Sequence, residues 1–188
     1  MRAIEARKSA CLLIVLLLLP LLYAWAAAWF PVHCTEESLL AAVREELELP
    51  EGEELTILGR AEERERRLFI VGKNRPGASA LSLSPSDYLP VYCSEFGDGL
   101  VLEHIARGGM YEAGGAEGLF YYTGLDGFAF LVLNPDCAAI VLTGSSFGTR
   151  EIAVTGLPFF HYESGVFENT DGDDVYSFRF LTEDGEEL

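Results

Sequence analysis

The sequence predicts an α+β fold: an N-terminal transmembrane or signal helix, one amphipathic helix, then a mostly antiparallel β domain, sheet or sandwich. Three observations predict it. Residues 11–32 read CLLIVLLLLPLLYAWAAAWFPV, without a single charge. Helical periodicity is confined to the short stretch after them, residues 35–47. From residue 55 onward, short apolar runs alternate with turns rich in Gly, Asn and Asp, the pattern of β-hairpins.

At a rise of about 1.5 Å per residue, residues 11–32 are long enough to cross a hydrocarbon layer about 30 Å thick. Arg2, Arg7 and Lys8 precede them. By the positive-inside tendency these hold residues 1–10 in the cytoplasm and send the rest across. Tyr23, Trp25, Trp29 and Phe30 then fall near the outer interface, where aromatic rings are favoured. This is the expectation of a single-pass protein of the cell membrane with residues 33–188 outside. The alternative is a secreted protein released by signal cleavage. Residues 11–22 have a signal-like length, Pro20 is a residue type that can break a helix near its end, and Ala24-Trp25-Ala26 or Ala26-Ala27-Ala28 offers small residues to a peptidase. A lipid anchor on Cys34 is disfavoured, because His33 stands where a small residue is needed.

Thr35 suits an N-cap, with Glu36 and Glu37 well placed against the helix dipole. Leu39, Leu40, Val43 and Leu47 recur at helical spacing, and Pro50 closes the segment. Residues 55–59 and 68–72 read as a hairpin around the charged tip 62–67. Asn74-Arg75-Pro76-Gly77 is a turn; residues 81–83 and 88–92 are strands. Residues 100–105 follow the turn Gly97-Asp98-Gly99. Residues 107–118 form a Gly-rich loop, the candidate subdivision of the exterior domain. Residues 119–123 and 128–133 flank Gly124-Leu125-Asp126-Gly127 as one hairpin; 138–143 and 151–155 flank residues 144–148 as another. Residues 159–162 and 175–181 flank an acidic loop, 163–174.

The chain carries a net charge of −17. Its exterior part is more acidic still, since the cytoplasmic tail is basic. Such a field repels phosphates and anionic head groups, which excludes nucleic acid as a partner. It admits a cation or a basic protein. Of the four cysteines, Cys11 lies in the apolar stretch, while Cys34, Cys93 and Cys137 lie beyond it, where disulfides are permitted. Three thiols allow three pairings, of which Cys93–Cys137 is favoured, since both sit beside strand-like segments deep in the domain; three unpaired buried or half-buried thiols are the alternative.

No catalytic residue is assigned. Gly144-Ser145-Ser146-Phe147-Gly148 matches G-x-S-x-G, but a nucleophile elbow needs a helix after the serine, and residues 149–155 read as a strand. An envelope serine hydrolase using Ser146 with His161 is accordingly the weakest alternative. Asn169, Asp171 and Asp173 place oxygens at alternate positions, as at the start of a calcium loop, so calcium is the one candidate cofactor. Asp174 and Phe180 stand where an EF-hand requires Gly and Glu. His33, His104 and His161 are scattered, and His104 alternates with Leu102 on a strand-like run. The aromatic run Phe120-Tyr121-Tyr122, Phe128, Phe130, Phe159-Phe160 and Tyr162 suits either a core or a binding platform.

The N-terminal apolar stretch, the helix 35–47, the hairpin 55–72, residues 128–133 followed by Asn134-Pro135-Asp136, and Phe159-Phe160 before a last strand resemble a group of uncharacterised small membrane-anchored or secreted extracytoplasmic proteins of Gram-positive bacteria. The resemblance implies a location and no activity. The expected function is therefore a non-enzymatic, membrane-tethered exterior domain that binds a protein or envelope component, with a calcium-binding module as the next reading.

Overall fold

The computed structural model describes residues 18–22, 32–33, 35–50, 52–63, 65–74, 84–114, 116–124, 126–167 and 175–188. Residues 18–22 are helical, and their four leucines are exposed. The rest of the uncharged stretch up to Pro31 lies outside the described residues. Among the described residues no helix is long and apolar enough to cross a membrane. Val32, the last residue of that stretch, already belongs to the folded domain. In strand β1 (Val32–His33) it pairs antiparallel with Val101, and His33 pairs with Leu100.

Helix α1 (Glu36–Glu46) begins where the sequence places it. The Thr35 hydroxyl accepts from the Ser38 N–H at 3.1 Å, and the Thr35 N–H donates to the Ser38 hydroxyl at 3.2 Å, a reciprocal capping box. The helix ends at Leu47, before Pro50. Glu48 takes a left-handed conformation, φ 51°, so that its N–H bonds Glu45 O and the Leu49 N–H bonds Arg44 O. That is a Schellman closure with glutamate where glycine is usual. Leu39 and Val43 are fully buried, and Leu40 and Leu47 flank them.

Strands β2 (Glu54–Glu63), β3 (Arg66–Asn74), β4 (Tyr88–Phe96) and β5 (Gly99–Ile105) join β1 in a five-stranded antiparallel sheet of order β1-β5-β4-β3-β2. The charged residues 62–67, expected as a solvated tip, mostly continue the ladder, with Glu62 paired to Arg67 and Glu63 to Arg66. The turn and strand expected over residues 75–83 fall outside the described residues. A second sheet has the order β11-β8-β7-β6, from β6 (Tyr111–Glu112), β7 (Leu119–Thr123), β8 (Phe128–Val132) and β11 (Phe159–Glu163). A third has the order β10-β9-β12, from β9 (Ala139–Gly144), β10 (Gly148–Ala153) and β12 (Tyr176–Leu181).

Strand alternation turns these elements into layers. Phe69, Val71, Val91 and Cys93 face the helix and bury Leu39 and Val43. Their neighbours Leu68, Ile70, Tyr88 and Tyr92 face the other way, onto Phe120, Ala129 and Leu131 of the second sheet. In turn Phe128, Phe130 and Val132 point away from the first sheet, onto Ile140, Leu142 and Phe180 of the third. Helix, first sheet, second sheet and third sheet thus stack in that order. The uninterrupted burial of β8 follows from cover on both faces. The Gly-rich residues 107–118 are the crossover from first to second sheet. Their Met110 is buried in the core shared by the two sheets, and its N–H bonds Tyr88 O at 3.0 Å. Residues 159–162 and 175–181, adjacent in the sequence reading, part company: β11 pairs with β8 and β12 with β9.

Two close approaches lock the layers. A Cβ on Gly127 would lie 2.8 Å from the carbonyl carbon of Glu163, so the β7–β8 turn passes against the end of β11 only because residue 127 has no side chain. The other is the ring of Phe160 on β11, which lies against the backbone of Gly59 on β2.

Candidate functional site

Strand β5 should alternate, placing Leu100, Leu102 and His104 on the helix side. It does not. Tyr92 pairs with His104 and Cys93 with Leu102, so Glu103 is the extra residue of a β-bulge. Leu100, Leu102 and Ile105 keep the helix side. The bulge turns Glu103 and His104 out of that core, and both are exposed. On β3, Arg66 continues the row of Leu68 and Ile70 that faces the second sheet. Its Nε lies 2.9 Å from Glu103 Oε2.

The second sheet meets this row at its β7–β8 end. Tyr122, Thr123 and Gly124 stand opposite Arg66, Glu103, His104 and Tyr92, and together they line an open cleft of about 590 Å³. The Tyr92 and Tyr122 rings lie 6.3 Å apart, inclined at 50°. Tyr92 is buried and fixed, while Tyr122 is partly exposed. The cleft thus offers a guanidinium, a carboxylate, an imidazole, a threonine hydroxyl and aromatic faces, in a volume typical of small-molecule sites.

A second polar group joins the other two sheets. Glu163 at the end of β11 accepts from Arg150 on β10, and lies 3.0 Å from His161 Nε2 on its own strand. Arg150 also caps the Phe147 ring at 4.8 Å. These contacts tie sheet to sheet and occupy His161 structurally. Ser146, paired with His161 in the hydrolase reading, is exposed in the loop of the β9–β10 hairpin, and a strand follows it. The G-x-S-x-G segment is a hairpin turn. The aromatic run is mainly core: Phe128, Phe130, Phe178 and Phe180 stack edge to face between the second and third sheets.

Cys93 and Cys137 are not joined. Both are buried free thiols, Cys93 under the helix and Cys137 between the second and third sheets. The sequence reading placed both beside deep strands, and that is correct. The layering puts the strands in different cores. Burial, then the Glu103 carboxylate, pushes the Cys93 thiol up to about 12, and burial raises Cys137 as well. Neither is a nucleophile at neutral pH. Asn169, Asp171 and Asp173 lie outside the described residues. Among the described residues no group of three His, Cys, Asp or Glu is placed to hold a metal ion.

Of the cleft residues, the sequence reading singled out His104 and Tyr122 and placed them in a strand core or an aromatic cluster. Arg66, Glu103 and Tyr92 were missed as site residues. The available signal is Glu103-His104 itself, two polar residues in succession inside an apolar strand, which marks a break of period. No family model, no curated protein and no solved structure matches this chain.

Proposed function

We propose that the protein is a membrane-tethered exterior binding domain, held by residues 11–31 and presenting the cleft of Arg66, Glu103, His104 and Tyr122 to an envelope component. The observation that carries the reading is the junction at Val32. An uncharged stretch of membrane-spanning length runs directly into a residue paired with Val101 in the first sheet. Such a junction leaves no linker and holds the domain against the outer face of the bilayer. The basic tail supports the orientation. A binding role is supported by the paired state of Arg66 and Glu103 and by the hairpin geometry around Ser146, which lacks the strand-to-helix turn that activates a serine nucleophile.

Alkaline extraction of membranes, combined with labelling of intact cells by an impermeant maleimide on a Ser146→Cys variant, tests it. The chain should stay in the membrane pellet and be labelled in intact cells, since Ser146 is exposed in the β9–β10 loop. Release into the alkaline supernatant, or labelling only after lysis, would count against it.

A further inference from the structure

We infer that the cleft takes a neutral saccharide; the inference rests on the reading of this cleft as the binding site and supplies its ligand class. Charge comes first. The cleft brings together one cation, Arg66, and one anion, Glu103, 2.9 Å apart, beside the His104 ring. The formal charges of that pair cancel, on a chain of net charge −17. An anionic ligand meets the field of the whole protein. A cationic one must compete with Arg66 for Glu103.

Hydrogen bonding comes second. The Arg66–Glu103 ion pair sets guanidinium N–H donors beside carboxylate oxygens, an adjacent donor and acceptor. Adjacent sugar hydroxyls match that arrangement, because each both donates and accepts. A carboxylate or phosphate would use only the donors, and an ammonium only the acceptor. Thr123 adds a hydroxyl of the same dual kind. The third point is the aromatic floor. Tyr122, partly exposed and backed by the buried Tyr92 ring, offers a flat apolar face for the C–H side of a pyranose ring. The bulge at Glu103 holds the polar side in register with that face.

The test uses the full chain in a detergent without a sugar head group. Chitotriose, maltotriose and mannobiose are titrated against it, with glucuronic acid and lysine as charged probes, following tyrosine and histidine resonances by NMR. At least one neutral sugar should saturate with a dissociation constant of about 1 mM or tighter. Tyr122→Ala, Glu103→Gln and His104→Ala should each weaken it, the first two about tenfold or more, with the melting temperature held in the two variants of exposed residues, Glu103→Gln and His104→Ala. His104 is an exposed ring, so its variant keeps the test open should another fail to fold. A charged probe that shifts Tyr122 and His104 while the sugars do not would overturn the ligand class and leave the cleft as the site. Sugar binding unaffected by all three variants, or no response from any probe, would overturn the cleft itself.

Discussion

The ring of Phe160 lies against the backbone of Gly59: a Cβ placed on Gly59 would come within 2.2 Å of Phe160 Cγ. Gly59 sits just past a bulge on β2, where Ile57 pairs with Val71 and Gly59 with Ile70, so Leu58 is the extra residue. The bulge turns Leu58 toward the core shared by the first two sheets, and Phe160 enters the same core from β11. An edge strand of one sheet is thereby clamped to an edge strand of the next.

Gly59→Ala should destabilise the domain by about 1–3 kcal/mol, the usual cost of overpacking a filled contact. The same change in a Phe160→Ala background should cost much less, because the obstructing ring is gone. Urea unfolding of the four chains measures the coupling. A Gly59→Ala cost that stays the same without Phe160 would show that the ring is not the constraint.

Glu48 closes the helix in the left-handed region at φ 51°, a conformation costly for any residue with a Cβ. Glu48→Gly relieves it and also loosens the unfolded chain, which offsets part of the gain. The net should be a stabilisation of about 0.5–1 kcal/mol, read as a higher urea midpoint at unchanged slope. A loss of stability would mean that the Glu48 side chain contributes more than its backbone costs.

The two described thiols give a pH prediction. Cys93 is pushed up to about 12 by burial, whereas an unfolded thiol titrates near about 8.5. Below about 8.5 both states keep the proton and stability is unaffected. Above it the unfolded chain loses a proton that the folded chain keeps, so stability falls as pH rises toward 12, by up to about 1.4 kcal/mol per unit. Tyr88, also pushed up to about 12, chiefly by burial, adds to the fall above about pH 10. Alkaline melting curves read the effect, and Cys93→Ala should reduce it between about pH 8.5 and 10, with the buried Cys137 supplying a residual fall of the same sign. At pH 8 an iodoacetamide label should reach Cys93 and Cys137 only after unfolding. A Cys93–Cys137 peptide pair in a non-reducing digest would contradict the separate cores.

What was legible in the sequence is what is local in the chain. The Thr35 cap and the hairpin across residues 124–127 are each specified within a few residues and form as read; the hairpin expected around residues 144–148 also forms, with a tighter loop, Ser145-Ser146-Phe147, because Gly144 and Gly148 pair with each other. The layering was not legible, because it depends on pairings between strands far apart. β8 meets both β7 and β11, and β9 meets both β10 and β12, which leaves Phe159 and Tyr176 in different sheets. Cys93 and Cys137 illustrate the consequence: both are deep, but depth alone does not say in which core. The cleft was hidden for a third reason. Period-two reasoning assigns His104 to the face of Leu102, and one bulged residue is enough to reverse it.

The tether is the claim on which the placement of this domain rests, and the mature N-terminus tests it most directly. Intact-mass and N-terminal peptide analysis of the chain isolated from cells should find residues 11–31 still joined to Val32, in the membrane fraction. A chain that begins near Ala27 and is recovered from the medium would contradict it, and would make this a secreted domain.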